Sequence, residues 1–318
     1  SPYEANQEGK VQVFDWNGTS WVQVGQDFIG TGNYYYGYSV AISPNGNLIA
    51  IGDSYDNQTA GSVYVHEWSG SAWNYLGNVE PSSRSGLQKY GYSVDITNDY
   101  YLVASTPNGY NSTYAKTNVG EVYTFEYSGS GTTWNIRGST LMGSQQDEFC
   151  GEKVSLSDDG MVLALSGRFG AYVYRWSNSA NNWVLVERDI YSGNSVFVGD
   201  VKLSPDGLTL AVGNATDNSF AGSCTVYKIL DSKTLKISNA ILGGTSSQLG
   251  TSLSFNADGS ILAVSSPYYN SSTGRVEFYK FSGTDWEKLT NTLDGPNTSS
   301  LFGKSIAITP DASKLIVG

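Results

Sequence analysis

The 318-residue sequence has one histidine, two cysteines and only 18 basic residues. Each scarcity excludes something. Nucleic-acid binding neutralises phosphates with clustered Lys and Arg, and no stretch clusters them here. With 29 Asp and Glu the net charge is −11, so an anionic membrane surface repels the chain as well. No apolar run approaches the ~20 residues that span a bilayer. Two cysteines are too few for a disulfide framework. Cys150 and Cys224 leave both buried free thiols and an inter-blade disulfide open. Long Ala-, Leu-, Glu- and Lys-rich segments are missing, so few helices are expected. The start at Ser1, without Met or a signal peptide, reads as a processed or excised end.

What the chain does have is glycine (37) and tyrosine (23), with Ser, Thr and Asn between short apolar runs. These are the materials of strands and turns. An internal period organises them. One unit is Gly, an alternating strand, a tight turn and a short apolar strand. It spans 37–52, 91–105, 151–166, 199–213, 250–265 and 303–318. Asn45-Gly46, Asp159-Gly160, Asp206-Gly207 and Asp258-Gly259 supply turn residues that tolerate positive φ, which marks each unit as a hairpin.

A second hairpin alternates with it, at 9–21, 61–73, 120–134, 170–183, 222–235 and 274–286. It carries an aromatic at each base of a Ser/Gly/Asn turn. All eight tryptophans fall on these two positions, so they read as cross-strand packing residues and not as a ligand site. Leu235 holds the second position in the fifth copy.

Alternating hairpins of this kind make four-stranded units of about 53 residues, and such units stacked face to face are propeller blades. The expectation is a single all-β propeller domain over residues 1–318, with six four-stranded blades. The chain begins with an outer hairpin and ends with an inner one, and the joining segment matches the length of the 52–61 linker. The N- and C-terminal strands are therefore expected to share one blade. The alternative is a seven-bladed ring with one blade outside the chain.

The aromatic-Gly start of the inner strand (Tyr36-Gly37, Tyr90-Gly91, Phe302-Gly303), followed by a second strand of the Ala-Ile-Gly kind, resembles the FG-GAP repeat. That repeat builds the propeller of integrin α subunits and of many secreted propellers. The resemblance covers essentially the whole chain and implies an extracellular platform. FG-GAP blades often hold Ca²⁺ in an Asp-x-Asp-x-Asp-Gly loop. The loops here, Ser54-Tyr55-Asp56-Asn57 and Asn214-Ala215-Thr216-Asp217, lack three spaced carboxylates, so neither metal nor other cofactor is expected.

No catalytic constellation is found. His66 sits where sister hairpins carry Phe14, Phe125, Tyr174 and Tyr227, which makes it a packing residue. Asp158-Asp159 and Asp147-Glu148 have turn and linker positions, with nothing placing two acids across a pocket. The chain is expected not to be an enzyme.

In a propeller the connections from strand 2 to 3, and from strand 4 to the next blade, share one face. They carry Tyr34, Tyr35, Tyr36, Tyr55, Tyr90, Tyr110, Tyr114, Tyr268 and Tyr269 among Asn, Ser and Gly. Rigid aromatics among adaptable polar groups suit protein or glycan recognition. The expectation is a non-enzymatic extracellular or cell-surface interaction or structural module. A carbohydrate-binding lectin is the alternative, and a glycan-active hydrolase ranks below both. Partners would be proteins or glycans at the cell surface, or other domains of a longer chain, with no nucleic acid and no membrane insertion. Sequons at Asn17, Asn57, Asn111, Asn214, Asn270 and Asn297 are expected N-glycosylation sites.

Overall fold

The computed structural model describes residues 8–30, 35–54, 61–81, 89–109, 117–190 and 199–318. The chain forms two compact units: Ser1–Val154 with Asn178–Asn182, and Ser155–Ser177 with Trp183–Gly318. Both are built from antiparallel meanders in which sequential strands are neighbours. No helix among the described residues is long and apolar enough to cross a membrane.

The first unit holds a four-stranded sheet of Tyr36–Ile42, Leu48–Asp53, Ser62–Trp68 and Trp73–Val79. A second sheet follows, Val94–Ile96, Tyr101–Thr106, Glu121–Tyr127 and Trp134–Ile136, with Leu141–Met142 paired to its third strand. The meander Val154–Leu156, Val162–Gly167, Gly170–Ser177 and Asn182–Ile190 leads into the second unit. There Val201–Leu203, Thr209–Asn214, Ser223–Ile229 and Thr234–Lys236 form the next sheet, joined by Ile241–Leu242. Leu253–Phe255, Ile261–Ser266, Arg275–Phe281 and Trp286–Asp294 form the last four-stranded one. These sheets are β-propeller blades. Phe14–Trp16 with Trp21–Gln23, and Ile306–Ile308 with Leu315–Val317, are each two-stranded sheets. Six blades is what the repeat count implies.

Second strands are apolar on both faces because each face meets a different layer. In Leu48–Asp53, Leu48 and Ala50 pack with Val94, Ile96 and Leu102, while Ile49 and Ile51 pack with Val11, Phe28 and Trp73. The second unit repeats this: Leu210 and Val212 join one cluster, and Ala211 joins another with Leu253 and Phe255.

Consecutive blades are joined at the backbone. Gly61 has φ +79° and forms a parallel bridge with Tyr90, so close that a Cβ on Gly61 would lie 2.0 Å from the Tyr90 carbonyl oxygen. Gly274 repeats this against Phe302, and Gly222 bridges to Leu249. No side chain fits such a contact, and a positive φ that strains residues carrying a Cβ is open to achiral glycine.

The aromatic pairs fall as expected. Trp16–Trp21, Trp68–Trp73, Tyr127–Trp134, Trp176–Trp183 and Phe281–Trp286 have ring centroids 5.3–5.5 Å apart. In the fifth outer hairpin the pairing places Thr234 opposite Ile229, and Leu235 opposite Lys228. The position that Leu235 was expected to fill is thus held by Thr234, because the turn length fixes the register. The two short helical stretches, Asp217–Phe220 and Tyr269–Ser272, contain positive φ at Asn218, Ser219 and Phe220, and at Asn270, Ser271 and Ser272. They are left-handed turns in 2–3 connections.

Replacing Gly61 by Ala is expected to cost about 2 kcal/mol or more, from backbone strain plus the clash with Tyr90. Gly70 has φ +91° but open space around a Cβ, so Gly70→Ala should cost about 1 kcal/mol at most. Denaturant unfolding of both variants measures the difference.

Candidate interaction face

The structure separates the tyrosines expected to bind into three groups. Tyr34, Tyr55, Tyr110 and Tyr114 lie outside the described residues, as do Asn57 and Asn111. Tyr36 and Tyr90 are buried, at 7 % and 0 % exposure, which corrects their assignment to a binding surface. They occupy the aromatic-Gly junction, where the backbone is held by the neighbouring glycine and the ring turns into the core. Tyr36 packs on Tyr64 at 5.5 Å, and Tyr90 on Tyr123 at 6.0 Å. Tyr35, Tyr268 and Tyr269 remain at the surface or partly so.

Tyr35 belongs to a cluster in the first unit. Its ring stands edge-on to Tyr38 at 6.4 Å, and Tyr38 tilts over Tyr92 at 5.0 Å. Tyr38 is 40 % exposed. Burial raises the Tyr92 phenol well above its ordinary pKa, helped by a hydrogen bond with Tyr38. Glu152 lies near enough to Tyr92 to raise it further. The Glu152 carboxyl is itself pushed up to about 7 by burial, against the opposing charge of Lys153, and its Oε2 is buried without a hydrogen-bond partner.

The second unit carries a different cluster. The Arg275 guanidinium lies 3.9 Å from the ring centre of Tyr269 and binds Asp294 through two contacts, at 2.5 and 2.7 Å. This pairing holds the Asp294 carboxyl below its usual range. Lys304 lies over Tyr268 at 5.7 Å. Cations set over phenol faces at a partly exposed surface are groups that a partner can meet directly.

Sequence reading missed Tyr38, Tyr92, Glu152 and Lys304. A signal existed: Tyr38, Tyr92, Glu152 and Lys304 each follow an inner-strand glycine, and this position varies while its neighbours repeat.

Among the sequons, Asn17, Asn270 and Asn297 are exposed. Asn214 is not: it is 1 % exposed, its Oδ1 accepts from the Thr216 amide and hydroxyl, and its Nδ2 is buried without a partner. A glycan on that nitrogen has no room, which corrects Asn214 as an acceptor.

The groups weighed for chemistry have structural tasks. Cys150 and Cys224 are buried free thiols. Glu148, fully buried, accepts hydrogen bonds from the Ser144 and Gln145 amides at 2.6 and 2.8 Å. Asp159 accepts from Ser157 and from the Met161 amide in its turn. Among the described residues no three His, Cys, Asp or Glu side chains gather as a metal site. His66 packs on Phe28 at 4.7 Å and Tyr75 at 5.5 Å, and burial lowers its pKa to about 4.

No protein-family model matches the chain, and no curated protein does. Solved structures are similar in fold. A functionally unknown protein of Desulfotomaculum acetoxidans DSM 771 matches at TM-score 0.63 and 16 % identity, covering 96 % of this chain and 84 % of that one. Hydrazine synthase of Kuenenia stuttgartiensis matches at TM-score 0.62 and 12 % identity, covering 98 % and 86 %. Chaetomium thermophilum Sqt1, bound to the N-terminus of ribosomal protein L10, matches at TM-score 0.57 and 17 % identity, covering 88 % and 68 %. At these identities the likeness defines a β-propeller fold and nothing finer.

A buried His66 Nδ1 without a partner destabilises the fold, and protonation of the ring worsens it. The folded pKa is depressed, so stability from the neutral ring is lost as pH falls from about 6.5 towards about 4. His66→Phe is expected to stabilise by about 1 kcal/mol at pH 7, with a gain that grows on acidification. Chemical unfolding at pH 7, 5 and 4 reads this.

Proposed function

We propose that this chain is a non-enzymatic interaction module of the FG-GAP kind, displayed outside the cell, which binds a protein partner through its 2–3 and 4–1 connections. The observation that carries the reading is a division of labour among the aromatics. Tyr36 and Tyr90 and the paired tryptophans are spent on packing, whereas Tyr35, Tyr268 and Tyr269 stand at connections, with cations over Tyr268 and Tyr269, and the exposed Tyr38 meets Tyr35 from the adjoining strand. Connections are where a rigid sheet scaffold is free to specialise. Two further points support it. The aromatic-Gly steps Tyr90-Gly91 and Phe302-Gly303, on which the FG-GAP resemblance rests, lie at blade junctions, where Tyr90 bridges to Gly61 and Phe302 to Gly274. The similar propeller of Sqt1 binds the N-terminus of another protein.

The test is an affinity measurement against a partner found by screening secreted and surface proteins, with a glycan array alongside. Tyr38→Ala and Tyr269→Ala are expected to weaken binding by roughly 30-fold each if they are hot spots worth about 2 kcal/mol. Thr19→Ala, in an outer hairpin turn, should leave binding unchanged. Tight glycan binding that Tyr38→Ala abolishes would favour the lectin reading. Loss of binding on altering Thr19 alone would place the interface on the opposite face.

Extracellular display carries its own expectation. Passed through a glycosylating secretory pathway, the chain should be modified at Asn17, Asn270 and Asn297 and unmodified at Asn214. Peptide mass spectrometry after glycan release checks each site.

A further inference from the structure

The second unit contains a cavity of about 510 Å³, lined by residues that include Asp206, Thr209, Lys228, Leu235, Lys236 and Phe281. It lies at hairpin turns and outer strands, away from the connections discussed above. Its floor is one cross-strand row: Thr209 pairs with Lys228, and Lys228 with Leu235. Leu235 is 51 % exposed, an apolar side chain left uncovered where sister rows end in polar Asn74 and Glu287.

The first unit shows what such a row looks like when filled. There the row is Leu48, Glu67 and Asn74. The phenol of Tyr100 donates to the Glu67 carboxylate, and its ring stacks on Tyr127 at 5.5 Å. In the second unit every part of this arrangement has a counterpart except the ring. Phe281 pairs with Trp286 as Tyr127 pairs with Trp134. The Phe281 amide donates to the Ser260 carbonyl as the Tyr127 amide donates to that of Tyr100. Ser260 therefore stands in the place of Tyr100, and Lys228 in the place of Glu67.

The charge is inverted along with the vacancy. A phenol donating to a carboxylate becomes, in the second unit, a space facing an ammonium group. Lys228 and Lys236 are exposed and held by no ion pair among the described residues. The nearby Asp206 carboxylate is already engaged by the Ser204 hydroxyl at 2.6 Å and the Leu208 amide at 3.0 Å. A second sign marks this junction as incompletely closed. The Trp134 indole of the first unit donates to the Leu76 carbonyl at 3.2 Å, whereas Trp286 Nε1 is buried with no partner, and so is Ser238 Oγ, next to the cavity residue Ile237.

We propose that this cavity binds a small aromatic carboxylic acid, its ring stacked on Phe281 over Thr209 and Leu235, its carboxylate on Lys228 with Lys236 beside it. The ring restores the missing aromatic contact, and the anion meets the only charges the site leaves unengaged. Cavities of about 300–1,000 Å³ with an apolar floor and a few convergent polar groups are the usual form of small-ligand sites. The site goes beyond the partner-binding role proposed above and stands independently of it.

The test is a titration of the whole chain with phenylacetate, followed by NMR and calorimetry. Benzyl alcohol supplies the ring without the charge, and acetate the charge without the ring. Saturable phenylacetate binding is expected, with both controls weaker by roughly tenfold or more, since benzyl alcohol loses a charge-assisted hydrogen bond and acetate loses the buried ring, each worth at least that factor. Lys228→Gln should lose about the same factor. Ser260→Tyr, which supplies the ring from within, should abolish binding. Should that variant fail to fold, Thr209→Leu, which brings in the bulk of Leu48, serves the same purpose. Failure of phenylacetate to saturate, equal binding by Lys228→Gln, or unchanged binding in whichever filled variant folds would overturn the proposal.

Discussion

At the described blade junctions a glycine opening a third strand lies against the backbone of the residue that precedes the next inner glycine. Gly61 meets Tyr90, Gly222 meets Leu249, and Gly274 meets Phe302, each as a parallel bridge. The contact is backbone on backbone, with a Cβ excluded by distances near 2 Å. Much else follows from it. Because the main chains approach this closely, consecutive sheets face each other at a separation that side chains such as Ala50, Ala211 and Ala263 can fill. Because the junction repeats, one set of side-chain sizes serves sheet after sheet, and the internal period becomes visible in the sequence.

The same constraint decides which aromatics are available to a partner. The residue before an inner glycine is drawn into the junction, and its ring has nowhere to go but the core. The residue after that glycine is released from this duty. Tyr38 and Tyr92 stand there, as do Glu152 and Lys304, and their chemistry differs from copy to copy. A burial penalty on Glu152 without a compensating hydrogen bond is the sort of local cost that packing alone does not select for. The aromatic pairs, by contrast, span five outer hairpins at nearly one distance, and their constancy reflects a shared structural task.

Repeats also supply an internal reference for what is missing. The row Leu48–Glu67–Asn74 and the row Thr209–Lys228–Leu235 occupy the same place in their sheets, yet one is capped by Tyr100 and the other is open. Four substitutions act together in the second case: a smaller Thr for Leu, Lys for Glu, Leu for Asn, and Ser for Tyr. Any one alone would leave a clash, a void or an unpaired charge. Their joint occurrence gives a cavity with one coherent chemistry.

By itself the sequence determined the all-β class, the alternating hairpins, the burial of the second strands and the structural use of eight tryptophans. These follow from periods of two along a strand and about 53 along the chain, which are local or repetitive properties. It also identified His66 as a packing residue, because four sister positions hold aromatics. The tertiary structure decided what periodicity does not encode. A tyrosine beside a glycine reads the same whether its ring points inward, as Tyr36 and Tyr90 do, or outward, as Tyr38 does. A sequon reads the same at exposed Asn270 and at buried Asn214. Register set by a turn moved the aromatic position of the fifth outer hairpin from Leu235 to Thr234. Which side chains face one another across a junction depends on the approach of two backbones, and that approach is fixed only once the sheets are packed.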